Sequence, residues 1–179
     1  MGLVPFKLPF LGGIMFFLNE LKGLQKEKNM KKIMIFVDMD GVIADYRFGE
    51  GINIKTNKPG TYLNKRPIIT TINNLRKISK YDNIDLSIIS SCLFKEQVIE
   101  KNKWLNKYAD FFKLENRIYT MADSFESRKQ LKVDKIKEFM EQNPDVLTVL
   151  IDDTHDILFS CQKQLGKNFI PMHVITLID

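Results

Sequence analysis

From Met30 onward, short apolar runs rich in β-branched residues alternate with segments whose apolar residues recur every three to four positions. That alternation leaves few folds open, because strands separated by helices of 10 to 15 residues pair through right-handed βαβ crossovers into a parallel sheet. The strand-like runs are Ile33 to Val37, Ile84 to Ile89, Arg117 to Met121, Val146 to Ile151 and Phe169 to Leu177. Between them, Ile68, Ile72, Leu75 and Ile78 follow Pro67 at helical spacing, and Phe94 to Tyr108, Val133 to Met140 and Thr154 to Leu165 read as further helices, the last closed by Gly166. The expected fold is a doubly wound, mostly parallel α/β sheet. Ligands of such sheets sit beyond the carboxyl ends of the strands.

Two segments stand outside this pattern. Residues 1 to 29 begin with an apolar stretch broken by Lys7, two prolines and Gly12-Gly13, which leaves only Phe10 to Leu18 as a run. That is too short for a bilayer, which takes about 20 apolar residues, and no basic cluster or small-x-small site marks a signal peptide. With the polar stretch Asn19 to Asn29 behind it, this part is expected to be an extension or a loosely attached amphipathic arm, and residues 30–179 to form the single folded domain, with no membrane role. Residues 45–66 carry Gly49, Gly51, Pro59 and Gly60 among many polar groups and read as a loop or very small insertion. Arg47, Lys55, Lys58, Lys65 and Arg66 outnumber the acidic residues there, which makes it a basic lip.

Of the 179 residues, 44% are hydrophobic and 27% charged, which excludes collagen-like, disordered and disulfide-scaffold classes. Cys92 and Cys161 are too few and too isolated for a thiolate metal site or a disulfide framework; they read as small core residues, and such cysteine usage favours a cytoplasmic setting. The net charge of +5 is spread along the chain and suits an anionic ligand.

The polar residues that matter should lie just past the strands. The first run ends in Asp38-Met39-Asp40-Gly41-Val42, two carboxylates two apart before a glycine that lets the backbone turn tightly. A calcium loop needs a further oxygen ligand before its glycine, and the spacing here excludes it. The second run ends in Ser90-Ser91 and the fourth in Asp152-Asp153. Taken singly, these read as a helix N-cap and as compensation of a helix dipole. Together, after three different strands, they point to one site.

In these motifs the sequence resembles the haloacid dehalogenase (HAD) superfamily of aspartate-nucleophile phosphatases, over residues 31 to 160. Its opening Asp-Met-Asp-Gly-Val, its Leu150-Ile151-Asp152-Asp153 and its Trp104-Leu105 pair are similar to the 5'(3')-deoxyribonucleotidase-like branch, with residues 45–66 a minimal cap. The resemblance implies a Rossmann-like core and hydrolysis of a phosphomonoester, with a nucleotide as the expected substrate, through an aspartyl-phosphate. Asp38 is the implied nucleophile, Asp40 the acid and base, and Ser90 with the backbone of Ser91 the holder of a phosphoryl oxygen. Mg²⁺ is the implied cofactor, held by Asp38, the Asp40 carbonyl and Asp153, with Asp152 beside it. The residue types suit that chemistry, since a carboxylate is a competent nucleophile toward phosphorus and hard oxygen ligands suit Mg²⁺.

A lysine must also neutralise phosphate and nucleophile. Arg128, Lys129 and Lys132 precede the fourth run; Lys132 leads because the pattern Val133, Ile136, Phe139 starts behind it, and Lys129 is next. His155, His173 and the aromatic group Trp104, Tyr108, Phe111 and Phe112 read as surface or core residues. Two other readings stand beside the nucleotidase one: a phosphatase for nucleic-acid ends or phosphoproteins, and a phosphate-binding module without catalysis. No stable nucleic-acid partner is expected on the first reading.

Overall fold

The structure is a computed structural model that describes residues 13–46, 60 and 62–178. Five parallel strands, β1 (Lys32–Val37), β2 (Ile84–Cys92), β3 (Arg117–Met121), β4 (Val146–Asp152) and β5 (Phe169–His173), form one sheet in the order β3-β2-β1-β4-β5. Among the described residues five α-helices flank it: α1 (Gly13–Glu27), α2 (Ile69–Ile78), α3 (Lys95–Tyr108), α4 (Phe125–Gln142) and α5 (His155–Leu165). This is the doubly wound α/β fold that the alternation predicts.

Alternate side chains of the central strand enter two separate cores, as a strand buried on both faces requires. Ile33, Ile35 and Val37 meet α1, α2 and α3, whereas Phe36 faces Val133 and Ile136 of α4 and Ile157 and Cys161 of α5. In register, Ile35 lies beside Leu86 of β2 and Val149 of β4. β1 thus has β2 on one side and β4 on the other. The crossover from β3 back past β1 to β4 creates the switch point at which such sheets open a crevice.

Four boundaries differ from the sequence reading. The largest is α1, which lies in the segment set apart as an extension or loose arm. Phe17, Leu18 and Leu21 are buried in the main core, so from Phe17 on this segment is part of the domain's packing. Its end is a Schellman-type turn: Asn29 takes φ 52°, the Met30 N–H reaches the Gln25 carbonyl at 2.9 Å, and the Asn29 N–H reaches Lys26 at 3.1 Å. The polar residues from Asn19 on are mostly its solvent face. α4 starts at Phe125, two turns before Val133, with Ser124 and Ser127 forming a reciprocal cap. β2 continues through Ser90 and Ser91 to Cys92. The last strand stops at His173, and Val174–Leu177 is a 3-10 turn.

Among the described residues no helix is long and apolar enough to cross a membrane. Cys92 and Cys161 are free and buried.

Candidate active site

The carboxyl ends of β1, β2 and β4 converge on one crevice. Asp38 follows β1 directly, its N–H bonded to the Ile151 carbonyl of β4 at 3.0 Å, and Asp152 is the last residue of β4. One carboxylate oxygen from each of Asp38, Asp152 and Asp153 lies within 4.8 Å of the others, a grouping that can hold a metal ion. Gly41 makes this approach possible. It adopts φ 82°, and a Cβ there would collide with the Asp153 carboxylate and the Tyr46 ring. Tyr46 donates to Asp153 Oδ2 at 3.0 Å.

Lys132 closes the floor of the crevice. Reaching in from the second turn of α4, only 1% exposed, its Nζ stands 2.9 Å from Asp38 Oδ1 and 2.6 Å from Asp152 Oδ2. Burial works to discharge this ammonium, but Asp38 and Asp152 outweigh it and hold the lysine protonated. Of the three basic candidates it alone meets these carboxylates, for Lys129 pairs with Glu126 at 2.6 Å on the surface and Arg128 makes no described ion pair. Asp38 is pushed up to about 7, first by burial and then by Asp152 and Asp40, against the pull of Lys132 and Lys101. Burial and Asp152 likewise raise Asp153. Three carboxylates here share too little positive charge.

Asp40 has the opposite setting. Although burial alone would favour its neutral form, Lys101 and Lys65 hold its carboxyl well below the usual carboxylate range. Lys65 is in direct contact with Asp40 Oδ1, and Lys101 Nζ donates to Asp40 Oδ2 at 2.9 Å, to Ser90 Oγ at 2.7 Å and to the Ser91 carbonyl at 2.8 Å. The Asp40 side chain therefore stays apart from the acidic trio, and only its main chain is left for the ligand role given to its carbonyl. α3 also fixes the segment that carries Lys65. Glu100 accepts the N–H groups of Gly60 and Tyr62, and Trp104 Nε1 donates to the Lys65 carbonyl at 3.0 Å.

A cavity of about 190 Å³ opens above this floor, lined among others by Asp38, Asp40, Ser91, Lys101, Arg128 and Lys132. Ser91 faces it and shares a hydrogen bond with Thr120 at 3.0 Å. Ser90 is fully buried behind it, its hydroxyl turned to Lys101.

Lys101 is the residue that sequence reasoning passed over. The available signal was its spacing: Gln97, Lys101, Trp104 and Leu105 occupy one buried face of α3, where a lysine needs a partner to be tolerated. Lys65 was noted only as lip charge and is instead 8% exposed against Asp40. Arg47, Lys55 and Lys58 of the lip lie outside the described residues. His155 is exposed and stacks on His173, whose Nε2 is 3.1 Å from the Asp153 carbonyl.

No family model matches the chain, and no curated protein matches it. Among solved structures it is similar to a chain of the Pnkp1/Rnl/Hen1 RNA repair complex, at 14% identity and TM-score 0.56, over 81% of this chain and 43% of that one. The present chain thus spans less than half the length of that neighbour, and the likeness is one of fold. The HAD domain of the Legionella pneumophila effector protein Lem4 aligns at 14% identity and TM-score 0.48, over 79% of this chain and 84% of that one.

Proposed function

We propose that the protein is a divalent-cation-dependent phosphomonoesterase of the HAD type that works through an aspartyl-phosphate on Asp38, with a nucleotide or similar small phosphomonoester as substrate. One observation carries this reading: Asp38, Asp152 and Asp153 converge at adjacent strand ends over a buried Lys132 that bridges the first two. A structural ion pair has no need of two carboxylates on one ammonium with a third grouped beside them.

The donor set fits Mg²⁺, since all three side chains offer hard oxygen ligands and their charge exceeds what Lys132 neutralises. When bound, the cation supplies the positive charge that lets a carboxylate approach a phosphate dianion. Lys132 holds the Asp38 carboxylate in place and adds its own charge to the phosphoryl oxygens. Ser91, on the cavity wall, offers a hydrogen bond to one of them.

Asp38 attacks phosphorus, the new Asp–O–P bond forms, and the bond to the leaving oxygen breaks. The leaving oxygen takes a proton from the Lys65–Asp40–Lys101 cluster. In the second step a water attacks the aspartyl-phosphate, its proton returns to that cluster, and Asp38 is released with inorganic phosphate. Asp40 enters this cycle ionised, which suits the second step directly; in the first step it acts together with an adjoining ammonium group.

Phosphate release from a panel of phosphomonoesters, with Mg²⁺ and with excess chelator, tests the reading. Turnover with Mg²⁺, its loss with chelator and a drop of at least about 100-fold in Asp38→Asn are expected. Undiminished turnover in chelator, or in the variant, would overturn it.

A further inference from the structure

Phe125, Arg128 and Lys132 follow one another down the same side of α4, and all three line the cavity. At 1.5 Å per residue, Arg128 sits about 6 Å and Phe125 about 10 Å along the helix from Lys132, toward the mouth. Exposure follows that order: Lys132 is sealed at the floor, Arg128 is half-buried, and Phe125 is 42% exposed at the rim. Lys132 is committed to Asp38 and Asp152. Arg128 is not committed to anything comparable, because its Nε is buried without a hydrogen-bond partner among the described residues.

A buried guanidinium donor without an acceptor is costly, and the side chain that carries it is built for planar, two-point recognition of phosphate or carboxylate. Across the cavity the Tyr62 hydroxyl is also buried, close to Asp40 without a hydrogen bond of normal geometry. Phe125 has Lys129 Nζ 5.7 Å from its ring centre, and together with Leu93, 42% exposed, and Ile157 it gives the cavity an apolar border. The reacting phosphate has Lys132 and Ser91 at the floor. An arginine one turn farther out, beside an aromatic ring, addresses the other half of the substrate.

We infer that Arg128 and Phe125 form a subsite for a second phosphate carried by the leaving group, so that the substrate is a nucleotide-type phosphomonoester with a further phosphate one helical turn from the scissile one. This rests on the phosphatase reading above. Two sources share that chemistry: a free nucleoside bisphosphate and the phosphorylated end of an oligonucleotide, in which the neighbouring phosphodiester supplies the second charge.

The test compares a nucleoside 3',5'-bisphosphate, the matching 3'- and 5'-monophosphates, and a short oligonucleotide ending in a 3'-phosphate, in the wild type, Arg128→Gln and Arg128→Lys. The wild type should prefer the doubly charged substrates by about 10- to 100-fold in kcat/KM, the worth of one charge-assisted hydrogen-bonded pair. Arg128→Gln should collapse that ratio to near unity, and Arg128→Lys should keep part of it. Preference for the bisphosphate over the oligonucleotide, or the reverse, identifies the source. Equal losses on all substrates would place Arg128 on the scissile phosphate, and an unchanged ratio would remove it from recognition; either result overturns the inference. Calorimetric titration of the Asp38→Asn protein and of Asp38→Asn with Arg128→Gln, using bisphosphate and monophosphates, reads the same ratio without turnover. If the wild type hydrolyses nothing, the phosphatase reading fails, while a bisphosphate preference lost with Arg128 still upholds the subsite and equal affinities reject it.

Discussion

Lys101 Nζ, buried on α3, donates to Asp40 Oδ2 at 2.9 Å from a position 61 residues farther along the chain. The contact joins the helix behind β2 to the carboxylate beyond β1, and the same ammonium also donates to Ser90 Oγ at 2.7 Å. An ammonium sealed from water beside the proposed proton carrier settles which form that carrier takes at rest.

Lys101→Met tests this pairing through stability. Asp40 is depressed in the folded chain relative to its ordinary value of 3.8, so its contribution is present above about pH 4 and is lost as the pH falls. The variant should be destabilised at pH 7 by roughly 2 kcal/mol, the worth of one charge-assisted hydrogen bond to a carboxylate that then keeps only Lys65 as its described ammonium partner. Denaturant unfolding should show the gap to the wild type narrowing toward pH 3. A gap that stays constant with pH would mean that Lys101 acts by packing alone.

Asp38 has the reverse sign. Raised from 3.8 to about 7, it keeps in the folded chain a proton that the unfolded chain releases, so without a divalent cation its contribution to stability falls as the pH rises from about 4 through 7. Asp38→Asn, which stays neutral, should melt above the wild type by about 4 °C or more at pH 8 in chelator, each kcal/mol being worth roughly 2–4 °C at this chain length. At pH 4 the two should nearly coincide. Adding Mg²⁺ at pH 8 should raise the wild type far more than the variant.

Lys132→Met removes the only described cation in contact with both Asp38 and Asp152. Losses of roughly 3–5 kcal/mol in stability are expected. Turnover should fall by at least about 100-fold, in line with removal of one preorganised electrostatic group. Because the remaining carboxylates are then short of positive charge, Mg²⁺ should restore a larger share of stability to this variant than it adds to the wild type.

Gly41 and Gly166 both have positive φ, 82° and 77°, but only Gly41 faces the acidic group. Gly166→Ala should cost roughly 1–3 kcal/mol for its backbone alone, because φ 77° with ψ −163° is a conformation essentially reserved for glycine, with Mg²⁺ affinity intact. Gly41→Ala should carry the same backbone cost and also weaken Mg²⁺ binding, because the new methyl group displaces Asp153. Calorimetry on the two variants separates these effects, and equal Mg²⁺ affinities would remove Gly41 from any role in shaping the cluster.

The parts of the site that could be read from the sequence are those fixed by strand ends. Asp38, Asp40, Ser90, Ser91, Asp152 and Asp153 all sit where an apolar run gives out, and a parallel sheet brings such positions together whatever the helices do. Lys132 was legible for another reason, since it adjoins a clear helical pattern. Lys101 and Lys65 were hidden because a lysine is ordinarily a surface residue, and nothing local marks the one whose charge is spent on a carboxylate from another element. The helix α1 was hidden because Gly13 and a polar solvent face blur its period, while Phe17, Leu18 and Leu21, with Leu24 half-buried beside them, carry its attachment.

β1 is the middle strand, yet its two neighbours are far apart in the chain: β2 is the next strand, and β4 arrives only after β3 and α4. During synthesis one edge of β1 is satisfied early, and the other stays an open row of backbone donors and acceptors until the last third of the protein emerges. The same delay keeps Asp38 away from Asp152 and Asp153. On the phosphatase reading, a divalent ion held by Asp38, Asp152 and Asp153 would need β1 and β4 already paired, so its binding free energy would fall on the folded sheet.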